Sequence, residues 1–556
     1  MSKENYLKSV EGMGQRLPNV LDNQINDVNL ENYGGFIKPG VGIATANPIS
    51  SLLSVYFCPD SKYYRNEILR ERLLNASKFL VKIQHKDGTI DLCETNYYSP
   101  PDTAFAVWSY TPWLEFLRKI HLKGQEKEIL ENLEYFLKRA SIALQSGGFH
   151  TANHRWVNAS ALAKLGNLFN NEKCKKAAEE YLEEGIDCNE DGLFSEKSIG
   201  VYNPICASAM LILAEELKKP ELMNYVIKAL EFALYFLEKD GTILNTFSLR
   251  QDRELRRPAF GYYHLFKRMS VLKNEGRYAQ AADCIFENGS KKYKFSPLSL
   301  FLFYPELKEE KTKRQALPRI HSKYFKKSGI LRINNVPSSL TFTQGSDEFL
   351  VIVLDDIDIR FRYLTSFFGK GAFVGKKMEN NKDSYTLQQK IRWGYRELLP
   401  KEERNKNIPW FDTIPLRKWI KIEEIETLIT LVPKNEFNGG KLHITTQGCK
   451  NVLTMLEIVL PKEGEFSFDG KVTRLKDEVY LLKEGKFRYA KESIFFKIGP
   501  GSAGHAMVNF RGDKTIKKDK ILVVMTFCAP FEHILDFSYG DTAQILSKKY
   551  ADNNQF

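Results

Sequence analysis

The chain has no CxxC pair. Its eight cysteines, Cys58, Cys93, Cys174, Cys188, Cys206, Cys284, Cys449 and Cys528, are scattered. That spacing argues against a zinc ribbon, and a reducing compartment argues against disulfides, which leaves buried or idle thiols. No run approaches the roughly 18 apolar residues that a membrane helix needs. The N-terminal stretch MSKENYLKSVEGMGQRLPNV lacks an apolar h-region and a small-residue cleavage site, so a cytoplasmic location is expected. No cluster of ligand residues has metal spacing, and neither a metal nor another cofactor is expected. The net charge is +12, yet no nucleic-acid motif accompanies it, and Lys517-Lys518-Asp519-Lys520 reads as a solvated loop. Neither nucleic acid nor a membrane is an expected partner. The dispersed basic excess fits an acidic substrate instead.

What is present divides near residue 310. A chain of 556 residues exceeds a single hydrophobic core. Before the division, apolar residues recur at helical spacing, as in Ile68, Leu69, Leu73, Leu74, Phe79 and Leu80. After it, apolar and polar residues alternate, as in Ile359-Arg360-Phe361-Arg362-Tyr363, while LEIVLP and ILVVMTF suit strands buried on both faces. The lysine-rich stretch from Glu306 to Arg319 reads as the linker. The expected organisation is a helical domain over residues 1–310 and an antiparallel β-sandwich over 311–556.

Turn glycines punctuate the helical half at Gly34-Gly35, Asp87-Gly88, Gly147-Gly148, Asp191-Gly192 and Asp240-Gly241. Each follows one helical segment and precedes another. Asn47-Pro48 and Asn203-Pro204 read as N-cap and first helical residue. Helix, glycine turn, loop and helix, repeated about five times, predicts an α/α-toroid of helical hairpins; an irregular array or a solenoid is the alternative. Helices followed by a large antiparallel β domain fit that architecture.

Four loops feeding helices carry the polar chemistry. GGFHTANHRWVNASALAKLGNLF, residues 147 to 169, places Asn153 and His154 at a helix start, where free backbone amides favour negative charge, with Trp156 one turn on. SEKSIGVYNPICASAMLILAEEL, residues 195 to 217, places Tyr202 at the next such start. NYYSPPDTAFAVWSY, residues 96 to 110, offers Tyr97 and Tyr98 as platforms for sugar rings and Asp102 as a substrate contact. SLRQDRELRRPAFGYYHLF, residues 248 to 266, contains Arg250, Arg253, Arg256, Arg257 and His264. Guanidinium forks suit carboxylates and sulfates. Each residue also has a bland reading: a cap, a core aromatic or a solvated charge.

An Asn-His pair at a helix start, a tyrosine about fifty residues later in the next hairpin, and a following β domain resemble the heparinase II/III-like polysaccharide lyases, including the alginate and oligoalginate lyases. The resemblance implies β-elimination on a uronate, with Asn153 helping to neutralise the substrate carboxylate and His154 and Tyr202 sharing proton transfer. His264 is the reserve base or clamp, and Trp156, Tyr97, Tyr98, Asp102, Arg250, Arg253 and Arg256 are the expected substrate contacts. The family often adds a histidine from the β domain in a His-Gly-His setting. Here His321, His443, His505 and His533 are isolated, so that half of the site is unassigned.

Elimination demands such groups. The C5 proton of a uronate is weakly acidic until its carboxylate is neutralised, so the enolate needs donors or cations. It also needs a base at that proton and an acid at the departing oxygen. The expected substrate is an acidic oligosaccharide. The competing readings are a toroidal glycoside hydrolase using Asp91, Glu94, Asp102 or Glu196, and a non-catalytic glycan-binding protein.

Overall fold

The computed structural model describes residues 2–37, 46–253, 256–404, 407–436, 438–476, 478–512 and 520–541. Lys517, Lys518 and Asp519 lie outside the described residues. The chain forms two compact units, Met1–Leu317 and Pro318–Phe556.

The first unit is built from twelve helices among the described residues: α1 (Ser2–Asp22), α2 (Ala46–Tyr56), α3 (Glu67–Ile83), α4 (Pro100–Leu117), α5 (Gln125–Gln145), α6 (Ala152–Leu168), α7 (Glu172–Glu183), α8 (Tyr202–Glu216), α9 (Met223–Leu234), α10 (Phe260–Leu272), α11 (Gly276–Tyr293) and α12 (Leu298–Phe303). Consecutive helices pair as hairpins, and the even-numbered ones pack side by side: α2 on α4, α4 on α6, α6 on α8 and α8 on α10. These inner helices are buried nearly all round. On α6, Asn158, Ser160 and Gly166 are as buried as Val157 and Leu162. Odd-numbered helices such as α5 and α7 instead bury one stripe. The unit is an α/α-toroid.

The glycine turns lock neighbouring hairpins together. Gly88 (φ +93°) lies so close to α5 that a Cβ would fall 2.4 Å from the Arg139 carbonyl oxygen. Gly34 meets Asn75 of α3 in the same way, and Gly192 (φ +98°) meets Lys228 of α9. Each turn leaves one outer helix and seats against the next. The positive φ and the absent side chain are both required.

A buried charged cluster ties α1 to the unit's C-terminal end. Lys267 Nζ lies 2.9 Å from Glu310 Oε2, which also accepts from Ser2 Oγ at 2.9 Å. Arg314 bridges Glu310 and Asp283, at 2.9 and 2.7 Å, and Asn5 donates to Asp283 at 3.2 Å. The expected linker therefore belongs in part to the toroid: Glu310 is buried and Arg314 is anchored. Burial pushes the Glu310 carboxyl up, but hydrogen bonds and charge from Lys267, with help from Ser2 and Thr312, overcome it and hold the pKa at about 2.

The second unit is an antiparallel β-sandwich. A ten-stranded sheet contains, in spatial order, Val472–Lys476, Val479–Leu482, Lys520–Cys528, Leu453–Pro461, Ile357–Thr365, Glu348–Leu354, Ser338–Thr343, Ile330–Asn335 and Ile320–Phe325, with Gly371–Ala372 paired beside Ile357–Thr365. One pairing, Val479–Leu482 with Lys520–Cys528, is parallel. An eight-stranded sheet contains Lys377–Asn381, Ser384–Arg396, Trp419–Pro433, Gly439–Gly448, Phe531–Asp541, Ile494–Gly499, Lys486–Lys491 and Glu465–Asp469. Their inner faces share one core, in which Phe361, Leu456 and Val523 meet Ile429, Ile444, Phe496 and Phe537. Leu453–Pro461 and Lys520–Cys528 are central strands, which is why their sequences are apolar almost throughout.

Candidate active site

Helix α6 begins at Ala152, and its N-cap is Thr151, not Asn153. Thr151 supplies no side-chain cap to the backbone; its Oγ1 accepts instead from Asn153 Nδ2 at 3.0 Å. The exposed amide of the first turn is satisfied from another hairpin. Asn153 N donates to Glu196 Oε2 at 3.2 Å, and Asn153 Nδ2 donates to the same carboxylate at 2.9 and 3.1 Å. A carboxylate at a helix N-terminus is favoured by the free amides and the helix dipole.

Glu196 is buried, and the Arg250 guanidinium forms a short ion pair with it. The same guanidinium lies 4.7 Å from the centre of the Tyr202 ring. Tyr202 is the first residue of α8, and its hydroxyl accepts from Gln251 Nε2 at 2.9 Å. Asn153, Glu196, Arg250 and Tyr202 thus form one contiguous cluster drawn from three loops. Burial raises the Glu196 carboxyl pKa, with Asn153 and Arg250 opposing. Burial also raises the Tyr202 phenol; Arg250 opposes it, while Asp252 and Glu196 add to it.

His154 is the next residue on α6 and is buried. Its ring meets His150 edge-on at 4.7 Å and Phe105 of α4 at 6.4 Å. Burial, followed by the charges of His150 and Arg250, pushes its pKa down to about 4. The imidazole is therefore neutral near pH 7. Among the described residues, neither His154 Nδ1 nor Asn153 Oδ1 finds a hydrogen-bond partner, although both are buried. Such atoms each cost about 1–3 kcal/mol unless a ligand or water satisfies them.

The loops bearing Glu196 and Arg250 are braced by Asp252. Its carboxylate accepts from Ser198 Oγ at 2.6 Å, Ser248 Oγ at 2.7 Å and Asn245 Nδ2 at 2.9 Å. Ser198 Oγ in turn accepts from Tyr202 N at 3.0 Å. Asn203 was expected as an N-cap but lies inside α8. Its side chain accepts from Phe194 N at 2.9 Å and donates to Tyr262 Oη at 3.2 Å, holding the loop before α8. Helix α2 likewise starts at Ala46, before Asn47, whose side chain lies outside the described residues.

Several expected substrate contacts have other work. Trp156 is fully buried, and its Nε1 donates to Asp187 at 2.7 Å; Asp187 also accepts from Ser195 Oγ. It positions the loop beside Glu196 and offers no platform. Asp102 is buried beside the N-cap of α4: Ser99 Oγ accepts from its backbone amide at 3.2 Å and donates to its Oδ2 at 2.5 Å. His264, on α10, contacts Ser208 of α8 at 2.9 Å. Arg253 donates to the Thr246 carbonyl at 2.8 Å, and Arg256 lies 3.8 Å from Asp240. Arg250 is brought to Glu196 and Tyr202.

Tyr97 and Tyr98 are exposed at 67% and 61%, on the hairpin formed by β1 (Ile90–Leu92) and β2 (Asn96–Ser99) that leads into α4. Tyr98 stacks on His85 at 4.0 Å, and both are held by Asp91, which accepts from Tyr98 N at 2.6 Å and contacts His85 Nε2 at 2.8 Å. Glu196 is the component whose place here the sequence did not reveal. It is 43 residues from Asn153, with no local spacing to mark it. In the second unit the four histidines make local contacts: His321 with Pro318, His443 with Glu532, His505 with Thr454 and His533 with Pro500.

No protein-family model and no curated protein matches the chain. Solved structures do. Xanthan lyase of Paenibacillus superposes with a TM-score of 0.59 at 9% identity, over 99% of this chain and 58% of that one. Chondroitin AC lyase of Streptomyces coelicolor A3 gives 0.54 at 10% identity, over 97% and 79%. Heparan sulfate lyase of Pedobacter heparinus gives 0.51 at 9%, over 89% and 76%. The fold is that of the toroid–sandwich polysaccharide lyases. At these identities the likeness is one of fold, and the chain spans under two thirds of the xanthan lyase. No described helix is long and apolar enough to cross a membrane.

Proposed function

We propose that the chain is a lyase that cleaves uronate-containing oligosaccharides by β-elimination, leaving unsaturated uronyl ends. The observation that carries this reading is the cluster of Asn153, His154 and Tyr202 at the starts of α6 and α8 with Arg250 from the loop before α10, on the toroid of a lyase fold. Arg250 provides the cation for the substrate carboxylate and the developing enolate. His154, neutral because burial has lowered its pKa, takes the C5 proton. Tyr202, a phenol that is protonated at neutral pH and that burial holds more firmly so, delivers a proton to the departing glycosidic oxygen. Tyr97 offers an exposed ring for a neighbouring sugar.

The roles implied by resemblance need one change. Both amide hydrogens of Asn153 are committed to Thr151 and Glu196, so its unoccupied atom is the acceptor Oδ1. Asn153 fits a sugar hydroxyl as it stands, and serves a carboxylate only if Glu196 yields. For the hydrolase alternative, Asp91 and Asp102 are both engaged in local hydrogen bonds, which leaves Glu94 and Glu196 as its carboxylates.

The test is optical. An eliminase acting on a panel of uronate oligosaccharides creates a C4–C5 double bond and hence ultraviolet absorbance; hydrolysis does not. Signal that disappears in folded Tyr202→Phe supports the assignment, and full activity in both Tyr202→Phe and His154→Ala overturns it.

A further inference from the structure

The donors that a substrate carboxylate would need already hold a carboxylate of the protein. Glu196 occupies Asn153 N, Asn153 Nδ2 and the Arg250 guanidinium at once, and it is buried. An arriving uronate must therefore displace it or share with it. Two carboxylates in one small clamp cannot both remain ionised in a low-dielectric site.

Resting on the uronate reading of the site, we propose that Glu196 is a proton-accepting partner of the substrate: docking of the sugar carboxylate on Arg250 drives one proton from solvent onto Glu196, which then donates an O–H hydrogen bond to that carboxylate. The balance is simple. The Glu196 carboxylate plus one solvent proton gives the neutral acid, a new O–H bond forms, no electron changes hands, and the proton returns to solvent when product leaves. While it is present, the proton removes the Glu196 charge, and the O–H hydrogen bond joins Arg250 in stabilising the substrate carboxylate, as enolate formation requires.

The surroundings are poised for this exchange. Burial already favours the neutral acid, and Arg250 and Asn153 are what oppose it. Diverting Arg250 toward a substrate removes much of that opposition. Titratable groups around the pair include Tyr202 and Cys206 on α8, Asp252 in the bracing loop, Lys197 and Asp187 beside the Glu196 loop, and His154 on α6 with His150 before it. In the free protein Glu196 is the carboxylate paired with Arg250, and a substrate carboxylate brings a second anion to the same cation. Asn153 Oδ1, buried and unpartnered, lies on the same side chain whose donors Glu196 holds.

The experiment is calorimetric titration of the full chain with free glucuronate, galacturonate, mannuronate and guluronate, in buffers of different ionisation heat. Glucose is the uncharged control. The expected result is uptake approaching one proton per uronate bound and, above the Glu196 pKa, affinity falling about tenfold per pH unit. Glu196→Gln, which mimics the neutral acid, should bind uronate with no proton uptake and a flat pH profile. Binding without uptake in the wild type, or uptake unchanged in Glu196→Gln, overturns the proposal; the wild-type pH profile decides alone if that variant fails to fold. Uptake without any ultraviolet signal from oligosaccharides would uphold the proton partner and overturn the lyase reading. Failure of every uronate to bind, or tighter binding of glucose, overturns the proton partner, while the ultraviolet test on oligosaccharides decides the lyase reading separately.

Discussion

Glu310 and Glu196 are both buried carboxylates paired with cations in the same toroid, and they are treated oppositely. Glu310 receives Lys267, Arg314, Ser2 and Thr312, and its pKa falls to about 2. Glu196 receives Arg250 and Asn153, and its pKa rises. Around Glu310 the charges close a seam between α1 and the unit's C-terminal end. Around Glu196 they leave a buried acceptor and a buried imidazole nitrogen unsatisfied. Stronger compensation marks a carboxylate that holds the fold; weaker compensation marks one left ready to exchange partners.

The largest effect that would break this contrast comes from the seam. Lys267→Ala strands a buried anion and should cost about 3–5 kcal/mol in chemical unfolding, clearly more than Glu196→Gln, which keeps a hydrogen-bonding group in place of a carboxylate whose pKa burial has already raised. Equal losses would erase the distinction. Next, Tyr202→Phe should lower kcat by about 10²–10⁴-fold with little change in stability, read by ultraviolet absorbance and a melting curve. Third, Gly192→Ala should destabilise by roughly 2 kcal/mol, because φ is +98° and the Lys228 carbonyl leaves no room for a Cβ.

Acidification separates the two carboxylates further. The Glu310 value lies below the ordinary 4.5, so its stabilisation is present above about pH 4.5 and is lost as pH falls through about 2. Glu196 has the opposite sign, since a raised carboxyl binds its proton more tightly in the folded state. On the kinetic side, the basic form of His154 is retained down to about pH 4, so the acid limb of kcat/KM should lie there and not near 6.5. The smallest effect is expected at Tyr97→Ala: a few-fold rise in KM with kcat retained, measured on the longest oligosaccharide turned over.

Much of the architecture was legible because it rests on periodic or local signals. Positive-φ glycines announced the hairpins, and runs such as LEIVLP announced central strands. The starts of α6 and α8 were legible because a polar loop precedes an unbroken apolar stretch. Roles within the inner helices were harder to read. Those helices are buried on every side, so Trp156 on α6 has the same pattern whether it faces a cleft or the core. Asp102 looked like a substrate acid because a helix cap and a binding site use the same residue types. Glu196 could not be paired with Asn153 and Arg250 from sequence, since the contact depends on how three loops converge.

The glycine turns also bear on how the toroid comes apart. Gly34, Gly88 and Gly192 rest on the outer helix of the following hairpin, and the Lys267–Glu310 seam joins α1 to the unit's C-terminal end. An open helical array can fray from its ends one repeat at a time. A ring interlocked in this way has no free end, and removing one hairpin unseats the turn of the hairpin before it. The toroid should therefore melt as a single cooperative unit, and the loops that carry Asn153, Glu196 and Arg250 should keep their geometry until the whole ring opens.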